Sequence, residues 1–213
     1  MRAIIFANGN PPDIQTFQKW STASALIIAA DGGTHNALSI EVRPQVIIGD
    51  MDSFDIKDRG WLEKTGAKFI VYPEHKDLTD LELAIRYAVT HGADEIVILS
   101  ALGDRWDQTL ANMMLLGLPE LRQVPTRIVD HTLSIVAVWD RIEIEGRSGD
   151  GLSLIPIGGA ALGVSIEGCE YPLSDAVLPF AATLGISNQL IESIARVSVK
   201  EGIVLAIHTT RDE

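Results

Sequence analysis

An α/β fold is the class this 213-residue chain predicts: a parallel-sheet, Rossmann-like N-terminal domain over residues 1–130, then a C-terminal antiparallel β-sandwich domain over 131–213. Three observations lead there. Up to about residue 130, short unbroken runs of Ile, Val and Leu alternate with segments of helical periodicity, as expected for strands covered on both faces. Beyond His131 the helical stripes stop, and short strand-like runs follow one another between turn signals. Every conspicuous acidic motif of the first half falls just after a predicted strand, where open α/β sheets bind ligands.

In order along the chain, strands are expected at 3–7, 25–30, 46–48, 68–71, 96–100 and 126–129. The clearest helix runs from Asp80 to His91, where Leu81, Ala84, Ile85 and Ala88 recur at i, i+3, i+4 and i+7. Thr79 and Glu82 suit a capping box at its start, and Gly92 suits the position after its end. A second helix is expected after Gly103, with a stripe of Leu110, Met113, Met114 and Gly117 and with Asp107 either its N-cap or a carboxylate of the site. In the second half the strand candidates are 133–139, 142–145, 151–156, 162–166, 196–199 and 203–207. Turns are expected between them at Trp139-Asp140, Ser148-Gly149-Asp150, Gly158-Gly159 and Lys200-Glu201-Gly202.

Composition narrows the function. With 46% hydrophobic and 22% charged residues the chain is an ordinary globular protein rather than a disordered one. A net charge of −12 without a basic stripe argues against nucleic acid as a partner. No apolar run approaches the roughly 20 residues that cross a membrane, and the apolar start, ended by Asn8 and Gly9, is short for a signal peptide; a cytoplasmic setting is expected. The single cysteine, Cys169, has no intrachain partner and reads as a small core residue. Five scattered histidines form no zinc-ligand set, and neither a P-loop nor a GxSxG motif is present.

Three segments carry the chemistry. Gly49-Asp50-Met51-Asp52-Ser53 follows a strand, and an extended chain there points Asp50 and Asp52 to the same side. Lys76-Asp77-Leu78-Thr79-Asp80 opens a helix, where Thr79 and Asp80 also serve as cap and dipole partner. Asp50, Asp52 and Asp80 offer three hard oxygen ligands of the kind Mg²⁺ prefers when it also holds phosphate. Gly103-Asp104-Arg105-Trp106-Asp107-Gln108 adds a guanidinium fork for a phosphate and another carboxylate, and Lys76 adds a point charge. These are the parts of phosphoryl-type transfer, so an enzyme is expected. Asp31-Gly32-Gly33 after the second strand lets the backbone approach a phosphate.

Taken together and in order, these motifs resemble the thiamine pyrophosphokinase family. The family shows a DGG segment leading into a helix with Asn, matched by Asp31-Gly32-Gly33-Thr34-His35-Asn36. A GDxDS segment, a KDxTD segment and a GxRxDH/Q segment followed by Leu-Ala-Asn are matched at 49–53, 76–80 and 103–112. Leu152–Pro156, Gly168 with Tyr171-Pro172-Leu173, and Gly185–Asn188 extend the likeness through the second half. The resemblance implies transfer of the pyrophosphoryl group of ATP to the hydroxyl of thiamine, giving thiamine diphosphate and AMP, by a homodimer. It implies that Asp50, Asp52 and Asp80 hold Mg²⁺ and that Arg105 and Lys76 contact phosphates. Asp31, Gly32, Gly33, Asp77, Thr79 and Asp107 would lie around nucleotide and metal, and Gln108, Ser187 and Asn188 would touch substrate. Either Asp80 or Asp107 would accept the hydroxyl proton.

Two positions depart from the family pattern. Asp104 stands where a second glycine is usual, and Gln108 stands where His is common in bacterial relatives. The competing readings are a pyrophosphokinase for another alcohol, such as a hydroxymethyl pterin, and a catalytically silent regulator that binds nucleotide or thiamine.

Overall fold

The computed structural model describes residues 1–52 and 56–211; Ser53, the last residue of the Gly49–Ser53 motif, lies outside them. The chain divides into two compact units, Met1–Leu115 with Gln123–His131, and Leu116–Arg122 with Thr132–Glu213.

In the first unit, strands and helices alternate: β1 (Arg2–Phe6), α1 (Ile14–Trp20), β2 (Leu26–Ala30), α2 (Gly33–Ser39), β3 (Val46–Gly49), α3 (Ile56–Lys64), β4 (Lys68–Val71), α4 (Asp80–Thr90), β5 (Glu95–Leu99), α5 (Trp106–Leu115) and β6 (Thr126–Asp130). All six strands are parallel, in the order β4-β3-β2-β1-β5-β6. The unbroken apolar runs are explained by burial: four of the five residues in each of β1, β2 and β5 are buried, as is all of β3. β4, at the sheet edge, is only half covered. Because β1 pairs with β2 on one side and β5 on the other, the strand order reverses there, leaving a crevice at the carboxyl ends of β1 and β5.

Helix α4 follows its pattern closely. Leu81, Ala84, Ile85 and Ala88 are buried. The Glu82 amide donates to Thr79 Oγ1 at 3.2 Å, forming one half of the capping box. The other half does not form, because the Glu82 carboxylate instead pairs with Arg86 at 2.8 Å, one turn on. Gly92, at φ 81°, closes the helix in the left-handed conformation.

The second unit contains β7 (Leu133–Val138), β8 (Arg141–Glu145), β9 (Gly151–Glu167), β10 (Leu173–Leu178), β11 (Asn188–Gln189), β12 (Ile194–Ser198) and β13 (Glu201–Thr209), all paired antiparallel. One sheet holds β7, β13, β9 and β11; the other holds β8, β12, β9 and β10. Their shared core includes Val138, Leu154, Val164, Leu178, Val197 and Ala206. The two strands expected at 151–156 and 162–166 are one 17-residue strand that serves both sheets. Gly158 and Gly159, at φ 72° and 155°, make a bulge rather than a turn. Across it Ile203 pairs with Ile157 and Glu201 with Leu162, so β9 spends extra residues bending from one sheet to the other. β10, missed by the apolar pattern, is mostly solvent-facing. Cys169 is buried, and burial raises its thiol pKa, as suits an inert core residue.

One buried polar cluster ties the ends of this unit together. Asp150, immediately before β9, accepts hydrogen bonds from the amides of Arg147 at 2.9 Å and Arg211 at 3.2 Å. Its second partner on the Arg147 side is His208 Nε2, at 3.3 Å. Burial works to raise the Asp150 pKa, but these donors outweigh it and hold the carboxyl below its usual value. A depressed folded pKa stabilises the protein above the unfolded value near 4 and loses that contribution as pH falls through the folded one. Asp150→Ala should therefore cost about 2–4 kcal/mol in denaturant unfolding at pH 7, by stranding buried N–H groups. The gap between variant and wild type should shrink at about pH 3.

Candidate functional site

Loops leave the carboxyl ends of the parallel strands, and a cleft of about 530 Å³ is lined by those after β1, β2, β4 and β5; Asp50 and Asp52, after β3, stand outside its lining. The loop after β1, Asn8-Gly9-Asn10, and the loop after β5, through Gly103 to Arg105, form its walls at the crevice where the strand order reverses. Asp31, Lys76 and Asp80 contribute from the other loops.

Buried amide side chains hold these loops. Asn36 of α2 donates to the carbonyls of Ala7 at 2.9 Å and Gly9 at 3.1 Å. Asn112 of α5 donates to Ala101 O at 2.7 Å, and Thr109 Oγ1 both accepts from Gly103 N and donates to Gly103 O at 3.0 Å. Strand-end carbonyls that no sheet neighbour can reach thus find donors on the adjacent helices. This turns α5 away from the expected stripe: Thr109 and Asn112 are buried, Leu110 and Met114 are exposed, and Met113 and Gly117 are half-buried. The helix also starts at Trp106, so Asp107 lies in its first turn and is not its N-cap.

Backbone geometry gathers the carboxylates. Gly33 at the start of α2 sits so close to β1 that a Cβ would lie 2.0 Å from Phe6 O. A Cβ on Gly49 would lie 2.7 Å from the Asp31 Cβ, so glycine lets the ends of β2 and β3 meet. Asp31 adopts φ 42° and Met51 φ 66°. The chain from Asp50 to Asp52 is therefore not extended but turned, with the Asp52 amide 3.3 Å from Asp50 Oδ1. The turn still brings the two side chains together, and Asp31 joins them: one carboxylate oxygen from each of Asp31, Asp50 and Asp52 lies within 4.8 Å of the others.

Asp80 stands beside this group with Lys76 between. Lys76 Nζ is 3.0 Å from Asp80 Oδ1 and 3.6 Å from Asp50 Oδ2. The contact with Asp80 is an ion pair of poor hydrogen-bond angle, and that buried oxygen has no hydrogen bond. Burial raises the Asp80 pKa, against the pull of Lys76, and the neighbouring Asp31 and Asp50 charges add to the rise. The Asp50 pKa is lowered, first by the Asp52 amide and then by Lys76. Lys76 is held protonated: its two carboxylate partners outweigh burial. Unit charges at the 4.8 Å limit repel by roughly 3 kcal/mol at an effective dielectric near 20, less where Asp52 meets solvent. A cluster of hard oxygens held against such repulsion fits a divalent cation.

The remaining expected residues are placed as follows. Gly32 and Gly33 begin α2 beside the cleft wall. Arg105 and Gln108 line the cleft with Asp104. Arg105 pairs with Asp107 at 2.6 Å on an exposed surface, which lowers the Asp107 pKa. Thr79 caps α4, and Asp77 is exposed outside the cleft lining. Ser187 and Asn188 belong to the second unit. Ser187 is exposed at φ 60°, whereas Asn188 is buried and spends its amide on the backbone of Tyr171, at 3.0 and 2.8 Å. The sequence reading passed over Asn8, Asn10 and Glu74 as cleft residues. Two asparagines flanking a glycine directly after the first strand were the available signal.

A crevice at the reversal of a parallel sheet, lined by an arginine and a lysine and flanked by carboxylates clustered at the neighbouring strand ends, is the kind of site an α/β enzyme carries. Residues 17–128 match the family model for the thiamin pyrophosphokinase catalytic domain, and residues 141–204 match that for the thiamin pyrophosphokinase vitamin B1 binding domain. The thiamine pyrophosphokinase of Bacillus subtilis is 30% identical over 215 residues, covering 99% of this chain and 100% of that one. Among solved structures, the thiamine pyrophosphokinase from Bacillus subtilis superposes with a TM-score of 0.87 at 28% identity, covering all of both chains. That from Geobacillus thermodenitrificans gives 0.83 at 27%, covering 100% of this chain and 99% of that one. The chain belongs to the thiamine pyrophosphokinase family. No helix among the described residues is long and apolar enough to cross a membrane.

The loop latches carry a prediction of their own. Asn112→Ala strands the Ala101 carbonyl and should lower unfolding free energy by about 1–3 kcal/mol in denaturant titration, with Asn36→Ala similar.

Proposed function

We propose that this protein transfers the pyrophosphoryl group of ATP to the hydroxyl of thiamine, releasing AMP. In the balanced reaction the hydroxyl oxygen bonds to the β-phosphorus, and the bond from that phosphorus to the oxygen kept by AMP breaks. The observation that carries this reading is the Asp31–Asp50–Asp52 group beside Lys76, at the carboxyl ends of β2 and β3, in a chain that matches both the catalytic and the vitamin-binding family segments. The family match does not favour a pterin alcohol or a silent regulator.

The residues divide the work by charge. Asp31, Asp50 and Asp52 would hold Mg²⁺, with Asp80, expected from sequence as a ligand, standing next to them across Lys76. Bound there, the ion would supply charge neutralisation and electrophilic assistance to phosphate oxygens. Lys76 and Arg105, the cations among the described cleft residues, orient the phosphates. Asp77 and Thr79 shape the loop that carries Lys76. Arg105 keeps Asp107 ionised and a weak base, whereas burial gives Asp80 the higher proton affinity, so Asp80 is the better acceptor of the hydroxyl proton. Gln108, on the cleft wall, would contact the acceptor. Thiamine's cationic ring suits an acidic surround, and the vitamin-binding segment includes Ser187 and Asn188. A homodimer is supported by Val177, Phe180, Leu184 and Ile186, exposed apolar residues close together in the second unit's sequence. A cytoplasmic setting accords with this chemistry.

The deciding assay incubates the protein with ATP, Mg²⁺ and thiamine and separates the products. AMP and thiamine diphosphate should appear in equal amounts; ADP, or AMP formed only with a pterin alcohol, would refute the proposal. Asp52→Asn should lower kcat by about a hundredfold or more, roughly 2.7 kcal/mol in barrier, without lowering the melting temperature, because it relieves repulsion at an exposed position. Arg105→Ala should raise the KM for ATP about tenfold with little change in fold stability.

A further inference from the structure

The position of Lys76 bears on the order in which the site fills. Its ammonium lies 3.6 Å from Asp50 Oδ2 and 3.0 Å from Asp80 Oδ1. Asp50 is also one of the three residues whose oxygens gather within 4.8 Å. The same carboxylate therefore serves both the lysine and the group that would hold a divalent ion. The lysine side chain is only 14% exposed, so it has exchanged most of its hydration for the Asp50 and Asp80 carboxylates and the Pro73 carbonyl, to which it donates at 3.4 Å. Arg105, the other cation of the cleft lining among the described residues, is paired with Asp107.

We propose that Lys76 is a tethered cation that keeps the acidic group closed to a free divalent ion and yields it only to phosphate, so that metal enters with the nucleotide rather than ahead of it. A charge on a short tether competes at a high effective concentration against an ion in solution. An ammonium on a flexible four-carbon stem can turn from one anion to another without moving the backbone. Lys76 and Asp80 both line the cleft, so an incoming triphosphate meets the lysine directly. Turning to phosphate removes one positive charge from Asp50 and Asp80, and the divalent ion brought by the nucleotide replaces it with two. The coupling is reciprocal: nucleotide strengthens metal binding at the carboxylates, and metal strengthens nucleotide binding.

This inference rests on the proposed nucleotide site, but its test requires neither substrate nor turnover, so the two can fail separately. The probe is Mn²⁺ alone, titrated into nucleotide-free protein and followed by the electron paramagnetic resonance of the free ion. Wild type should bind weakly, in the millimolar range. Lys76→Gln should bind at least about tenfold more tightly, and its melting temperature should fall in EDTA and rise more steeply with Mn²⁺ than that of wild type. Lys76→Arg keeps the charge and should keep the weak affinity. Low-micromolar Mn²⁺ binding by nucleotide-free wild type would overturn the proposal whatever the variants do. So would a folded Lys76→Gln protein that binds Mn²⁺ no better than wild type, or a Lys76→Arg protein that binds as tightly as Lys76→Gln.

Discussion

β1 lies between β2 and β5, and those two sets of parallel hydrogen bonds decide where everything else in the first unit can go. With the sheet running to β4 on one side and β6 on the other, the loops after β1 and β5 part company at the carboxyl edge. A crevice opens there because no connection crosses it. The apolar runs supply the rigidity: Ile4, Ile5, Ile28, Ile47 and Ile98 are essentially without solvent contact, so the strand ends cannot drift. The loops then need polar anchors, which Asn36, Thr109 and Asn112 provide from the helices.

The same frame holds the site in an unfavourable state. Carboxylates brought within 4.8 Å of one another repel, and folding tolerates this because strand packing elsewhere is worth far more. Lys76 offsets part of the repulsion by bridging Asp50 and Asp80. A region that is locally strained in charge yet rigid in backbone is suited to bind a polyanion with its counter-ion, because the ligand relieves the strain instead of creating it. The departures at Asp104 and Gln108 fit this picture, since both side chains are exposed on the cleft wall and neither displaces a member of the carboxylate group.

Much of this was legible in the residue order. Continuous Ile and Val runs marked the buried parallel strands, because a strand covered on both faces has no polar position to alternate with. Thr79 and Gly92 marked the ends of α4, because capping is a local requirement. α5 departs from its apolar pattern. Its buried Thr109 and Asn112 serve the carbonyls of Gly103 and Ala101 rather than an apolar core, so Leu110 and Met114 are left exposed. A positive-φ glycine pair such as Gly158-Gly159 serves a turn or a bulge equally well, and only the partner strand distinguishes them.

By itself, then, the sequence determined the class of fold, the order of its parallel strands' appearance along the chain, and which short acidic segments emerge from strand ends. Those features depend on neighbours a few residues away. Only the tertiary structure decided that Asp31 shares the space of Asp50 and Asp52, that Lys76 separates Asp80 from them, and that Asn188 is turned onto Tyr171. Distances between side chains on different loops follow from strand order, from close approaches at Gly33 and Gly49, and from single backbone angles such as that of Met51. No local periodicity encodes them.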